Sequence, residues 1–587
     1  GSYYPAISAF ERYLATPEPT AEPESTGLIT GTTTLTTTDP LSDAETITLT
    51  EPITDTPALT ATQTITDTEP LDIEPDEVLT GTTTLTSTSP LTETAAPQPI
   101  SPPRADEALW FMAKSWQGVG EYNSAITVFQ QLIDTYRAST HWSEANLEIG
   151  QSLINQGNYT QAKSALHDFV AENPDDPLAD EALWRPARLD LDLDHVEEAI
   201  PQLVDLVEKY PDSDYASDAL YWAGHAAYEL EDYDNALDIW TKLYEQYPTG
   251  PLVNFAGYWR AKTLMELGRY EEAEQILTAM IDGPIDYYHL RAHDLRTGQQ
   301  PHTVPLAMPT EAELADEQAE AEAWLRGWLP DLKAEDAPEN LAVLDESIRS
   351  EPAFQRGDTL LQLGLRDKAL VEFETIKENY WDDPRALYPL SLYFKEKLMG
   401  RLSILTAERL VFLSPAEAPE ETPLFIQRLY YPILFDDLIF AEAEKLDIDP
   451  ALLVALIRQE SLYEFSAESI AGARGLTQVM PTTGDYIAER SDFGPFEAGQ
   501  LWLPYISIQF GTWYIQQQLG IFDDNQFAAL AAYNAGPGYV LEWLEESDDL
   551  DIFVESIPFW ESRTYIRKIY ENLAAYRRIY GTNSDEQ

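Results

Sequence analysis

The chain has 587 residues and 44% of them are hydrophobic, so it can build several globular domains with buried cores. Its 102 acidic residues outnumber 36 lysines and arginines, and the net charge of -66 repels phosphate backbones, which argues against nucleic acid as a partner. The absence of cysteine excludes disulfides, thiolate metal sites and cysteine nucleophiles. The seven histidines lack metal-site spacing, so we predict no metal and no cofactor.

The first residues are similar to a pattern that returns farther along the chain. The segment YYPAISAFERYL aligns with YNSAITVFQQLI, so that Ala6 lies under Ala125 and Phe10 under Phe129. We therefore predict that residues 1–19 are a truncated repeat, of which only the second helix remains. Further repeats and any export signal are expected upstream.

Residues 20–104 are rich in Thr, Pro and Glu and nearly free of aromatic residues. The block TGTTTLT occurs at 30–36 and again at 80–86. Such a composition cannot bury enough apolar surface to offset the entropy of the chain, so we predict a disordered insert. Its Thr and Pro content resembles O-glycosylated stalks, which fits an exported protein.

Between residues 105 and 285 one pattern returns five times at a spacing of 37 residues. Its clearest columns are Ala108, Ala145, Ala182, Ala219 and Ala256; Tyr122, Tyr159, Val196, Tyr233 and Tyr270; and Ala113, Gly150, Ala187, Gly224 and Ala261. Small residues allow two helices to approach closely, so each unit is predicted to be a helix–turn–helix whose second helix opens at the tyrosine column. The pattern resembles tetratricopeptide repeats, whose usual period is about 34 residues. It predicts an all-α chain that begins with a tetratricopeptide-like α-solenoid.

Residues 286–425 lose this period but keep helical patterns, and we predict a helical linker region. The segment 311–329 is an Ala- and Glu-rich helix, and 357–380 is one more helical hairpin. In this hairpin Ala369 corresponds to the alanine that lies three residues after the tyrosine column in each repeat. No residue type in this region points to chemistry.

Residues 426–587 are predicted to form the last domain of the chain. Asp449 is a good N-cap and Pro450 a good first residue for a helix with an apolar face, and this helix places Glu460 near its C-terminal end. Partial burial and the negative end of the helix dipole both favour a protonated carboxyl. A carboxyl that stays protonated near neutral pH is suited to acid-catalysed cleavage of a glycosidic bond. Taken alone, a Glu at a helix end is more often a solvated or capping side chain.

Five short motifs around and after Glu460 resemble those of the soluble lytic transglycosylases of bacterial cell walls. The matching residues are Glu460, Ser461 and Tyr463; Ser469, Gly472 and Ala473; Gly475, Leu476, Gln478, Met480 and Pro481; Ala532, Tyr533, Asn534, Ala535 and Gly536; and Ile557, Pro558, Glu561 and Tyr565. The chain departs from the family at Tyr463, where Phe is more usual, and at Thr477, where Met is usual. The resemblance implies a goose-type-lysozyme-like helical catalytic domain.

The family resemblance also implies a mechanism and a set of site residues. Glu460 is expected to be the single acid and base that cleaves the β-1,4 bond between N-acetylmuramic acid and N-acetylglucosamine without water, leaving a 1,6-anhydro end. The expected substrate-binding residues are Ser469, Gln478, Met480, Tyr533, Asn534 and Glu561. The residues expected to maintain the motif structure are Ser461, Gly475, Leu476, Gly536 and Tyr565.

Two alternative functions remain open from the sequence. A peptidoglycan hydrolase would need a second carboxylate, for instance Asp485 or Glu468, to position water. A non-catalytic scaffold would bind glycan through the C-terminal domain and a protein partner through the repeats. In each case peptidoglycan strands are the expected ligand and the protein is expected outside the cytoplasm, in the periplasm or cell envelope. No apolar run of about 18 residues occurs, so no membrane span is predicted.

Overall fold

The computed structural model describes residues 104–281, 285–298, 305–329, 340–491, 493–544 and 549–582, together with two strands nearer the N-terminus. Those strands, β1 (Thr33–Thr36) and β2 (Thr46–Leu49), pair antiparallel. They lie within residues 20–104, and the interpretation of that segment as a disordered insert stays a prediction. The rest of the insert up to residue 103 and the truncated repeat at 1–19 lie outside the described residues.

The chain divides into two compact units, residues 1–186 and 187–587. From residue 105 onward, helices come in pairs, and each pair begins 37 residues after the previous one, as from Ala105 to Trp142. The ten helices are α1 (Ala105–Gly118), α2 (Tyr122–Thr135), α3 (Trp142–Asn155), α4 (Tyr159–Glu172), α5 (Ala179–Asp192), α6 (Val196–Lys209), α7 (Ala216–Glu229), α8 (Tyr233–Gln246), α9 (Val253–Glu266) and α10 (Tyr270–Ile281). Every second helix begins at the tyrosine column, and the predicted solenoid of helix pairs is confirmed.

Close approach between paired helices depends on the column of small residues. A Cβ added to Gly224 in α7 would lie 2.5 Å from the ring of Trp240 in α8. Trp240 itself is fully buried, so the ring has no room to move away. Outside the five pairs, Gly357 and Phe373 repeat this arrangement, with an added Cβ 2.9 Å from the Phe373 ring. The hairpin around residues 357–380 therefore packs as the repeats do.

Eight further helices occupy the predicted linker region and its boundary with the C-terminal domain. They are α11 (Tyr287–Thr297), α12 (Glu311–Trp328), α13 (Glu346–Arg349), α14 (Pro352–Gln362), α15 (Arg366–Asn379), α16 (Pro384–Glu396), α17 (Gly400–Leu413) and α18 (Leu424–Tyr430). The Ala- and Glu-rich helix α12 begins with a capping box, in which Thr310 and Glu313 each bond the other's backbone N–H. Trp324 and Trp328 pack against the core that this helix shares with α16 to α18.

After residue 435, the described part of the chain contains eight α-helices. They are α19 (Asp436–Leu446), α20 (Pro450–Ser461), α21 (Pro481–Arg490), α22 (Pro504–Ile521), α23 (Gln526–Ala535), α24 (Pro537–Leu544), α25 (Leu550–Ser556) and α26 (Trp560–Tyr580). Helix α20 is central, because every residue from Ala451 to Arg458 is buried, and it packs along α26. Within the described part of the chain, no helix has both the length and the apolar character that a bilayer crossing requires.

A buried cluster of charges joins the repeats to α25. Asp551 accepts hydrogen bonds from the hydroxyl of Tyr258 and the ammonium of Lys262, each at 2.6 Å, and from the guanidinium of Arg291 at 2.8 Å. Burial acts to raise the pKa of Asp551, but Lys262 and Arg291 hold it well below its usual range. Asp551 is therefore ionised and paired with residues that lie about 260 to 290 positions earlier in the chain.

A second buried carboxylate, Glu555, lies one helical turn farther along α25. It accepts hydrogen bonds at 2.8 Å from the hydroxyls of Tyr221 in α7 and Tyr288 in α11. Arg567 of α26 donates to both of its carboxylate oxygens at 2.6 Å. Arg563, on the same helix, donates to the Tyr221 hydroxyl and to the backbone oxygen of Glu555, each at 3.0 Å. The start of α26 is thus fixed by side chains of the repeats.

Candidate active site

The helix that carries Glu460 begins and ends as the sequence predicts. The side chain of Asp449 accepts a hydrogen bond from the backbone N–H of Ala451 at 2.8 Å, and Pro450 is the first helical residue. Arg577 of α26 donates to Asp449 at 2.5 Å, so the two helices are also tied at this end. Eleven residues after the cap, Glu460 lies in the last turn of α20.

Protein groups surround Glu460, and a part of the residue remains accessible to solvent. The pKa of Glu460 is raised to about 8 as the result of three causes. Burial raises it most, the hydroxyl of Tyr565 lowers it by donating a hydrogen bond to Oε1, and the negative charge of Glu561 raises it. Burial dominates, because it disfavours the charged form of a carboxyl. Glu460 is therefore mostly protonated at neutral pH, as an acid catalyst must be.

Tyr533 forms another side of the site. Its hydroxyl donates to the backbone oxygen of Thr477 at 2.7 Å. Burial first, and then the charge of Glu460, raise the pKa of Tyr533 well above its usual value, so the phenol stays neutral close to the carboxyl. Its ring packs on Tyr514 of α22 with centroids 5.3 Å apart. The charge of Glu460 thus acts on Tyr533, and the expected contact of Tyr533 with substrate stays a prediction.

Thr477, where the family usually has Met, turns its side chain away from the site. Its hydroxyl donates to the backbone oxygen of Ser507 at 2.7 Å, and the residue is 2% exposed. A Cβ on Gly511 in α22 would lie 2.4 Å from the Thr477 Cβ, so the loop packs directly against this helix. The departure from the family is therefore accommodated by packing on α22, and the backbone of Thr477 still faces Tyr533.

The loop from Glu468 to Met480 forms a compact hairpin beside α20. Ser469 is exposed and its Oγ accepts from the backbone N–H of Ala473 at 3.0 Å. The amide of Gln478 donates to the backbone oxygens of Gly475 at 2.7 Å and Ala467 at 3.2 Å. In this structure both side chains bond within the loop, and their predicted contact with substrate remains a prediction.

Gly475 has the tightest backbone requirement in the loop. Its φ is +78°, a left-handed conformation, and an added Cβ would lie 2.0 Å from the backbone oxygen of Leu501. The adjacent Leu476 is fully buried, and its backbone oxygen accepts a hydrogen bond from Ser461 at 2.8 Å. Ser461, Gly475 and Leu476 thus pack within the protein, and their expected role in maintaining the motif structure stays a prediction.

The remaining motif residues lie at helix ends. The side-chain oxygen of Asn534 accepts from Ser562 of α26 at 2.6 Å, and Gly536 ends α23 with a φ of +95°. Met480 precedes Pro481 at the start of α21 and is 36% exposed. Asn534 thus links two helices, whereas Met480 is free to meet a ligand.

Tyr565 contacts Glu460 directly, which the sequence did not predict. It was expected to support the fold, yet its hydroxyl donates directly to the carboxyl. The spacing contains the signal: Glu561 and Tyr565 are four residues apart in α26 and so share one helix face. Both act on the same group.

The two carboxylates considered for a hydrolase are placed differently. Glu468 is exposed and pairs with Arg474 at 3.0 Å, and Asp485 is exposed on α21. Glu561 is the carboxylate whose charge is felt by Glu460.

Two protein families match parts of the chain. The family described as Transglycosylase SLT domain matches residues 437–555, which include Glu460 and Tyr533 and end before Glu561. The family described as Outer membrane lipoprotein matches the helix pairs twice, over residues 105–221 and 179–281.

Curated relatives are similar in the same C-terminal part. The soluble lytic murein transglycosylase of Salmonella typhimurium is 37% identical over 155 residues, which are 26% of this chain and 24% of that protein. The putative soluble lytic murein transglycosylase of Haemophilus influenzae is 35% identical over 156 residues, 26% of each chain. The chain therefore spans about a quarter of the length of the curated relatives it matches.

Among solved structures, the 70 kDa soluble lytic transglycosylase of Escherichia coli aligns with 81% of this chain and 81% of its own length. The identity is 21% and the TM-score is 0.45.

Proposed function

We propose that this chain, whose residues 437–555 are a transglycosylase SLT domain homologous to soluble lytic murein transglycosylases, cleaves peptidoglycan without hydrolysis. The expected bond is the β-1,4 link from N-acetylmuramic acid to N-acetylglucosamine. The observation that carries the proposal is Glu460: one partly buried carboxyl, with its pKa raised to about 8, between two neutral tyrosines.

Glu460 supplies both proton transfers in the proposed reaction. As an acid it protonates the glycosidic oxygen, and the bond from that oxygen to C1 of the muramic acid breaks. As a carboxylate it then takes the proton from the C6 hydroxyl of the same sugar while that oxygen bonds to C1. The products are a 1,6-anhydro end and a free hydroxyl on the leaving sugar. No water is consumed, so a site with one acid and base residue is sufficient, unlike the usual glycosidase pair.

Tyr565 and Tyr533 keep the carboxyl ready for both roles. The Tyr565 hydroxyl stabilises the ionised form that must act as base, and this contact limits how far burial raises the pKa. The Tyr533 hydroxyl is bonded to the Thr477 carbonyl and so is fixed beside the reacting sugar. Ser469, Gln478 and Met480 are proposed to line the sugar subsites, with Asn534 and Glu561 at the margin of the site.

The wider roles of the chain follow from the same proposal. Murein appears in the names of the curated relatives, and peptidoglycan lies outside the cytoplasm, so an exported protein is proposed. The helical repeats are proposed to guide glycan strands and to offer a surface for a protein partner.

The proposal is tested with purified peptidoglycan and mass spectrometry of the products. The protein is expected to release muropeptides with anhydro ends, lighter by one water (about 18 Da) than hydrolytic products. Glu460→Gln should release none, while the matched control Glu468→Gln, at an exposed carboxylate, should behave as the unchanged protein. Reducing ends would establish a hydrolase instead, and no product from the folded, unchanged protein would favour a binding scaffold.

A further inference from the structure

A cluster of aromatic rings lies at the start of α26 and is used by none of the roles described above. Three of its members are well exposed: Tyr539 of α24 by 51%, Phe559 by 43% and Trp560 by 67%. Trp543, beneath them, is 6% exposed. Tyr539, Trp543, Phe559 and Trp560 are called the aromatic platform below. A contiguous exposed patch of this kind costs solubility and marks a binding surface.

Three of the four rings of the platform pack on one another. Phe559 meets Tyr539 and Trp543 edge to face, each with centroids 5.2 Å apart, and Tyr539 and Trp543 stack at 6.0 Å. Trp560 follows Phe559 directly, and the guanidinium of Arg563 lies 5.5 Å from its ring centroid. Arg563 in turn is bonded to Tyr221 and to the backbone of Glu555. The platform is therefore pre-ordered, which lowers the entropic cost of binding.

The platform adjoins the candidate active site in the chain, at the start of α26. Trp560 is followed by Glu561, whose charge acts on Glu460, and Tyr565, five residues on, donates to Glu460. Five residues of α-helix span about 7.5 Å along the axis. Trp560 is therefore about one and a half helical turns from the residue that bonds Glu460, a separation that a polymer of several sugars exceeds.

We propose that the aromatic platform is a carbohydrate subsite, which binds sugar rings of the glycan strand beyond the bond that is cleaved. This inference rests on the proposed function and extends it to the length of strand that is recognised. The face of an aromatic ring is negative, and the C–H groups on one face of a pyranose carry a small positive charge, so the two stack without hydrogen bonds. Stacking also needs no charged partner, which suits a chain with a net charge of -66.

Binding is measured in the Glu460→Gln protein, so that the ligand stays intact, with the β-1,4-linked hexamer of N-acetylglucosamine as the probe. Adding Trp560→Ala or Tyr539→Ala should weaken the affinity about tenfold each. Trp560→Phe, which keeps a ring, should recover most of it. The matched control is Phe412→Ala, because Phe412 is 74% exposed and also has an arginine, Arg409, over its ring.

The same substitutions in the active protein give a second measurement. Trp560→Ala should raise KM for glycan strands and leave kcat unchanged, because the platform binds substrate and transition state alike. Unchanged affinity and KM in both alanine variants would overturn the subsite, as would an equal loss in Phe412→Ala. Failure of the unchanged protein to cleave any glycan would defeat the proposed function, while Trp560-dependent hexamer binding would still support the subsite.

Discussion

The hydroxyl of Tyr565 donates a hydrogen bond to the carboxyl of Glu460 from a helix that begins only five residues earlier. One turn before Tyr565, Glu561 acts on the same carboxyl by its charge. The two residues push the pKa of Glu460 in opposite directions, and this opposition can be measured.

Replacing Tyr565 by Phe removes a donor that favours the ionised carboxyl. The pKa of Glu460, already raised to about 8, should rise further, and the loss of activity at high pH should move to higher pH. At neutral pH kcat/KM should fall roughly tenfold, because the hydrogen bond to the charged base is lost. The measurement is a pH profile of anhydromuropeptide release. Tyr505→Phe, at an exposed tyrosine, is the control, and a profile that moves to lower pH would contradict the assigned contact.

Replacing Glu561 by Gln removes a negative charge near Glu460 and should have the opposite effect. The pKa of Glu460 should fall, so activity should be lost at a lower pH than in the unchanged protein. Because Glu561 is exposed, added salt should already screen part of its effect in the unchanged protein. Complete loss of cleavage in Glu561→Gln would instead indicate that this carboxylate takes part in the chemistry.

The raised pKa of Glu460 also makes the stability of the fold depend on pH. Folding favours the protonated carboxyl, so its contribution is fully present below the pKa of the unfolded chain, near 4.5, and is lost as the pH rises toward about 8. Glu460→Gln has no such dependence. The variant should therefore gain melting temperature relative to the unchanged protein as the pH rises from 5 to 8.5. In free energy of unfolding the gain should reach a few kcal/mol, because one pKa unit corresponds to about 1.4 kcal/mol. A difference that stays constant over this range would show that Glu460 is not shifted.

Breaking the buried charge cluster should destabilise the fold more than breaking an exposed ion pair. Lys262→Met leaves Asp551 buried with one cationic partner fewer, and we expect a loss of about 3 kcal/mol in the free energy of unfolding. Lys242→Met, which removes the exposed pair between Lys242 of α8 and Glu208 of α6, should cost about 0 to 1 kcal/mol. Urea titration of both variants is the measurement. Equal losses would mean that the cluster adds nothing to the attachment of α25.

Substitution of two glycines in the active-site loop distinguishes the cost of left-handed backbone from the cost of a steric clash. Both have positive φ, +78° at Gly475 and +87° at Gly472, but an added Cβ meets the Leu501 backbone only at Gly475 and has nothing within 4 Å at Gly472. Gly472→Ala should cost about 1 to 2 kcal/mol. Gly475→Ala should cost clearly more and abolish activity, because Leu501 belongs to the core beneath the loop. Similar unfolding curves for the two variants would contradict the described packing.

Local patterns predicted much of this molecule, because its local signals are strong. The period of 37 residues anticipated where each repeat helix begins, and Asp449 with Pro450 anticipated the start of α20. The partial burial and raised pKa of Glu460 followed from its position beside an apolar helix face. The contact of Tyr565 with Glu460 was missed, although the spacing from Glu561 contained it.

Long-range charge pairing could not be read from the sequence. Asp551 and Glu555 are two acidic residues among 102, and their partners Lys262 and Tyr221 lie 289 and 334 positions away. Nothing in the neighbouring residues distinguishes them from solvated carboxylates, since burial and pairing are properties of the folded chain. The hydrogen bond from Thr477 to the backbone of Ser507 could not be predicted for the same reason.

The charge cluster has a consequence for the order of assembly during synthesis. Lys262, Arg291 and Tyr288 leave the ribosome long before Asp551 and Glu555, and chains fold from the N-terminus as they are made. The residues of the cluster that lie in the repeats are therefore synthesised well before the helix α25 that pairs with them. Tyr565 follows α25 in the chain, so Glu460 gains this hydrogen-bond donor only after α25 has been synthesised. A chain made only as far as α25 carries Glu460 without the hydroxyl that lowers its pKa, so the site proposed here is complete only once α26 has been added.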